Sequence, residues 1–186
     1  MRIFNAILGS FFVLAAGATA HSARAEVLAF HATLDGKYGA ASGSAATGVA
    51  RITADTDSRK VSVDLTVEGI TVDGLWDRLV AAPIGPVHFH KYATPEGGDA
   101  VLVLPVPFGA AYSATQTGLR VTMNEYDYAD GAKLLNSKLS FDDFVAAMRS
   151  GLVVLNIHTD AFNPGEISGR VGGGAYPAQP GAAHRH

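Results

Sequence analysis

The stretch "KVSVDLTVEG", Lys60–Gly69, decides the fold class. Val61, Val63, Leu65 and Val67 fall on one face, with Ser62, Asp64, Thr66 and Glu68 opposite. A period of two with one apolar face marks a half-buried antiparallel strand. Working outward, "VLAFHATL" alternates in the same way, with Leu28, Phe30, Ala32 and Leu34 on one side and His31 on the other. "GVARITAD", "PVHFHKY", "AVLVLPV", "GLRVTMNEY", "LVVLNIH" and "EISGRV" read as further short strands. Small, glycine-rich or proline-containing segments separate them, among them "DGKYGAASGSAATG" and "ATPEGGD". "NPGE", Asn163–Glu166, carries the Pro-Gly pair of a type II turn and predicts that its two flanking strands are neighbours. Asp55 and Asp57 read as turn residues between two strands.

One segment breaks the pattern. In "LSFDDFVAAMRSG", Ser140 and Asp143 resemble a capping box, and Leu139 and Phe144 are spaced for a hydrophobic staple. Phe141, Phe144, Val145 and Met148 follow helical spacing, and Gly151 stands where a helix ends. Many short strands with one short helix before the penultimate strand predict a mainly β domain, an antiparallel β-sandwich.

The N-terminus follows a different plan. Met1 and Arg2 precede an apolar run and two small-residue cleavage motifs, ending at Ala20 and Ala25. This is the plan of a secretory signal peptide, residues 1–25, and it predicts an exported chain, periplasmic or secreted. The folded domain then covers 26–171. A Gly/Ala/Pro/His tail, 172–186, follows it. Removing Arg2 and Arg24 from the 14 basic residues leaves 12 against 17 acidic ones, a formal charge of −5. That balance argues against a nucleic-acid footprint. With no cysteine in the chain, disulfides, iron–sulfur clusters and thiolate zinc sites are excluded.

The chemistry-bearing residues are histidines. His88 and His90 stand two apart in a strand and so share a face, about 6.6 Å apart. A third ligand must come from elsewhere, and His158, at the end of an apolar strand, is the candidate; His31 is a possible fourth. Imidazole ligands suit copper or zinc. His184 and His186 form a second H-x-H in the tail. Cleavage after Ala20 would leave His21 as an N-terminal chelator. Neither a nucleophile elbow nor a phosphate loop is present.

The motifs "VHFH", "TPEGGD" and "LNIHT", with "PGE" and "SGR", give the chain a resemblance to the CHRD domain, a family named after chordin and common in exported bacterial proteins. The likeness implies an immunoglobulin-like or superoxide-dismutase-like Greek-key sandwich. The family's histidine pattern matches His88, His90 and His158. Residues 104–138 look like an insertion that the likeness does not reach. Three functions follow as expectations. One is a non-enzymatic exported domain holding copper or zinc on His88, His90, His158 and His31. Another is an extracytoplasmic protein-interaction module without metal, by analogy with chordin. The least favoured is a copper-dependent redox enzyme such as a dismutase. No catalytic residue and no other cofactor is assigned.

N-terminal sequencing of the exported protein is expected to begin at Glu26. A start at His21 would instead favour the amino-terminal copper site.

Overall fold

The structure is a computed structural model, and it describes residues 26–95 and 97–173. Residues 1–25, expected to be a signal peptide and including His21, and the tail from residue 174 with His184 and His186 lie outside the described residues. Ten strands carry the fold: β1 Val27–Asp35, β2 Thr47–Asp55, β3 Lys60–Glu68, β4 Val87–Thr94, β5 Gly97–Val106, β6 Tyr112–Ala114, β7 Gly118–Asp127, β8 Val153–Ile157, β9 Ile167–Arg170 and β10 Gly172–Gly173. Nine of them run in one hydrogen-bonded path, β5-β4-β8-β9-β1-β2-β3-β7-β6, and β10 pairs with β1. All strand pairings among the described residues are antiparallel. The mainly β class is therefore as the sequence predicts. In place of the two separate sheets expected of a sandwich, the strands form a single curled sheet.

Alternation builds the inside of the curl. Val61, Val63, Leu65 and Val67 on β3 are buried, and their register partners on β2 are Ala54, Ile52, Ala50 and Gly48. The small residues of β2 leave room for the branched ones beside them. In β8 the rule differs, because all five residues are buried. Val153, Leu155 and Ile157 join the core, while Val154 and Asn156 face the other way under a separate cover. The continuous apolar reading of "LVVLNI" is the signature of a strand enclosed on both faces.

Three α-helices are present where the sequence suggests one. α1, Asp77–Val80, and α2, Tyr128–Leu134, are too short to show a periodic apolar stripe. α2 is started by Asp127, whose side chain accepts from the Ala129 N–H at 2.8 Å. α3, Phe141–Arg149, is the expected helix. Ser140 Oγ accepts from the Asp143 N–H at 3.1 Å and donates to the Asp143 carboxylate at 2.7 Å. The far end closes as a Schellman motif: Gly151, at φ +66°, donates to Met148, and Leu152 donates to Ala147. Phe144 then packs against Phe89 edge-on at 6.1 Å and stacks on Tyr128 at 5.1 Å.

Two local readings change. Residues 104–138 are integral rather than inserted, because β7 pairs with β3 along its whole length and α2 lies on β5. Gly131 of α2 fits so closely that a Cβ there would meet Leu104 Cδ1 at 2.9 Å. The turn at "NPGE" does join neighbouring strands, with Ile157 opposite Ile167. It closes one residue early, by a Gly165 N–H bond to Phe162 at 3.0 Å, while Glu166 N–H returns to Ile157 at 2.7 Å. Asp55 serves its turn as expected, accepting from the N–H groups of Asp57 and Ser58.

Two substitutions in α3 separate capping from packing. Phe144→Ala is expected to cost about 3–5 kcal/mol in urea unfolding, and Ser140→Ala about 1 kcal/mol. Losses of equal size would contradict this placement of the helix.

Candidate metal centre

Strand alternation aims the histidines. Val87 and Phe89 are fully buried in the core, so His88 and His90 project from the opposite face of β4. On the neighbouring strand, Asn156 stands opposite His88 and Val154 opposite His90. One residue beyond β8, the His158 N–H donates to the Pro86 carbonyl at 2.9 Å, which prolongs the ladder and keeps its ring on the same face. The ring centroids lie 4.9 Å apart for His88 and His158, 5.8 Å for His88 and His90, and 6.1 Å for His90 and His158. One ligand nitrogen from each lies within 4.8 Å of the other two.

His31 does not join them. Two whole strands, β8 and β9, separate β1 from β4, and the register partners of His31 are Arg51 and Gly172. Strand order, which local patterning does not encode, places it apart. His88, His90 and His158 form the group by themselves, with no carboxylate from the described residues.

The outer face is roofed by polar and aromatic groups that the sequence left unassigned. Trp76 N–H donates to the His158 carbonyl at 3.1 Å, and the Trp76 ring lies 6.3 Å from the His158 ring. Leu75 bridges to Thr159, and Asp160 N–H donates to the Gly74 carbonyl at 3.2 Å. Asn156 pins the loop from the other side: its Nδ2 donates to the Pro164 carbonyl at 3.3 Å, and its Oδ1 accepts from Ser168 Oγ at 2.9 Å. Gly165 is required at this point. Its φ is +129°, and a Cβ would fall 2.3 Å from Asn156 Oδ1. Ser44 Oγ donates to the Glu166 carboxylate at 2.7 Å and Ser42 Oγ to its carbonyl at 2.5 Å, so the loop before β2 fastens the same turn.

These contacts decide which nitrogens are available. His158 Nδ1 lies 2.7 Å from the Asn163 carbonyl. A carbonyl only accepts, so Nδ1 carries the proton and Nε2 of the neutral ring holds a lone pair. The Nε2 atoms of His88, His90 and His158 are all buried without a hydrogen-bond partner. His88 and His158 are themselves buried, at 3% and 8% exposure, and His90 is half-buried. A second ring nitrogen held by a backbone carbonyl is the arrangement that orients a metal-ligating histidine.

Burial also sets the protonation state. Desolvation, followed by repulsion from His158 and His90, pushes His88 from 6.5 down to about 3, against a backbone contact at Gly85 that raises it. Desolvation and His158 push His90 down to about 4. Desolvation lowers His158 as well, opposed by its bond to Asn163. All three rings are therefore neutral at neutral pH, the form that binds a metal.

A family model for the CHRD domain matches residues 30–171. The chain belongs to the CHRD domain family. No curated protein and no solved structure matches it. The match to the CHRD domain runs through residues 104–138, in accord with the place of β7 and α2 in the fold. No helix among the described residues is long and apolar enough to cross a membrane.

The lowered values carry a sign for stability. The unfolded chain binds protons at His88 and His90 below about 6.5, whereas the folded chain does so only near 3 to 4, and His158 is shifted in the same direction. Between those limits the unfolded state holds more protons, so stability falls as pH falls. Metal-free protein is expected to lose unfolding free energy between pH 7.5 and pH 5, and His88→Gln should flatten that slope. A wild-type slope no steeper than the variant's would contradict the burial of neutral rings.

Proposed function

We propose that this CHRD domain is an exported, non-enzymatic protein that binds one copper or zinc ion on His88, His90 and His158. The carrying observation is the three buried Nε2 atoms that lack any partner, within a set of ligand atoms 4.8 Å or less apart. A buried polar atom without a hydrogen bond costs about 1–3 kcal/mol. Three together in one place is an arrangement that an ion relieves. An ion about 2 Å from each nitrogen requires them about 3.5 Å apart, so ring movements of about an ångström close the set. The N-terminal pattern of the sequence supports export. The roof of Trp76 and the 159–166 loop favours retention of the ion, for structure, storage or delivery, over turnover at an open site.

A second reading has its own observation. Val101 on the edge strand β5 is 61% exposed. An exposed apolar residue on a sheet edge suits a partner that adds a strand. In that reading the protein is an extracytoplasmic interaction module and the histidines only stiffen it.

The test uses exported protein purified without a polyhistidine tag, with His184 and His186 replaced by alanine. Elemental analysis is expected to find one copper or zinc ion per chain, lost in His88→Ala/His90→Ala. The ion should raise the melting temperature, and at a free concentration of about 100 Kd the gain is about 2.7 kcal/mol. His158→Ala should abolish that gain. Absence of metal together with an unchanged melting temperature would favour the interaction module.

A further inference from the structure

The three-histidine group supplies neutral ligands only. Its three Nε2 atoms are closed off from water, and no carboxylate of the described residues joins it. We propose that this site selects monovalent copper over divalent zinc. The proposal rests on the metal-binding reading above and adds the charge of the ion.

Ligand type does not make the choice, since imidazole accepts copper and zinc alike. Charge does. The cost of moving an ion from water into a medium of low dielectric grows as the square of its charge, so a divalent ion costs about four times as much as a monovalent one of the same size. A site for a divalent ion ordinarily offsets that cost with an anionic ligand or with water. Among the described residues no carboxylate joins the group, and its Nε2 atoms have essentially no solvent contact. On β5, Pro105 stands opposite His88 and Leu102 opposite His90, and on β8 Val154 flanks His90. The Trp76 ring lies against His158.

The polar side chains beside the site and on the strands and loop next to it have partners of their own. Asn156 is bonded to Pro164 and Ser168. Asp35, in register with Ser168 two strands from His88, has an Oδ1 that accepts from the N–H groups of Lys37 and Tyr38. Asp160, beyond Thr159, is exposed and accepts from the Asp77 N–H at 3.3 Å.

Coordination number points the same way. Zinc in proteins is almost always tetrahedral, and a three-histidine zinc site completes its shell with water. The donor nitrogens have essentially no solvent contact, so a water in that fourth place would have to enter a closed site. A closed-shell monovalent copper ion is satisfied by three nitrogens in a plane.

The test titrates the exported chain carrying His184→Ala and His186→Ala with each ion against a chromophoric chelator. Monovalent copper is kept reduced by ascorbate without oxygen, and zinc is titrated separately. Monovalent copper is expected to bind one per chain, with a dissociation constant at least a hundredfold below that for zinc. Asn156→Asp, which sets a carboxylate opposite His88 with almost no change of shape, should narrow that ratio at least tenfold. Zinc bound as tightly as monovalent copper, one per chain and lost in His88→Ala/His90→Ala, would overturn the selection and leave the metal site standing. Retention of neither ion would overturn both.

Discussion

Enclosure of β8 on both faces is the constraint on which the structure depends. Val153, Leu155 and Ile157 must meet the core, and the same strand must present Val154 and Asn156 to a second, covered surface. The strand holds its place between β4 and β9, so its neighbours inherit this two-sided burial. His88 faces Asn156, and Ser168 faces Asn156 from the other side. A polar residue on that surface must therefore find a partner. Asn156 and Ser168 find each other, His158 uses one nitrogen on Asn163, and the Nε2 atoms of the three histidines find none.

The chemistry follows from that imbalance. A buried imidazole left without a partner costs stability, and protonation makes the cost worse, as the lowered values of His88 and His90 show. The site is thus neutral, and its three Nε2 atoms are buried without a partner. Rigid parts supply the geometry: a ladder holds two of the rings, and a loop fastened by Asn156, Gly165 and the serines at 42 and 44 holds the third. Placement on strands favours precision over movement.

The legible parts of the fold were those with a local physical cause. Period two in "KVSVDLTVEG" gave β3, and the same rule put His88 and His90 on one face. The capping residues around α3 were readable because Ser140 and Gly151 each satisfy a backbone group within a few residues, and the Asp143 carboxylate holds the Ser140 hydroxyl. The illegible parts depend on distant chain. His31 is excluded by strand order, which no local pattern carries. The roof at Gly74 and Trp76 is built from backbone bonds with Asp160 and His158, and nothing in "GLWDRL" announces them. α2 escaped notice because seven residues capped by Asp127 show too little periodicity, and residues 104–138 read as surplus until β7 found β3. The sequence reading starts the tail at Gly172, yet Gly172 and Gly173 form β10. Two glycines carry no β signal; the paired edge of β1 supplies it.

X-ray absorption on the metal-loaded protein tests the central claim most directly. The account predicts a first shell of three nitrogens at about 2 Å with the outer-shell scattering of imidazole rings. It also predicts that this pattern collapses in His158→Ala. A shell dominated by oxygen, or one that the loss of His158 leaves unchanged, would contradict a centre built from β4 and the end of β8.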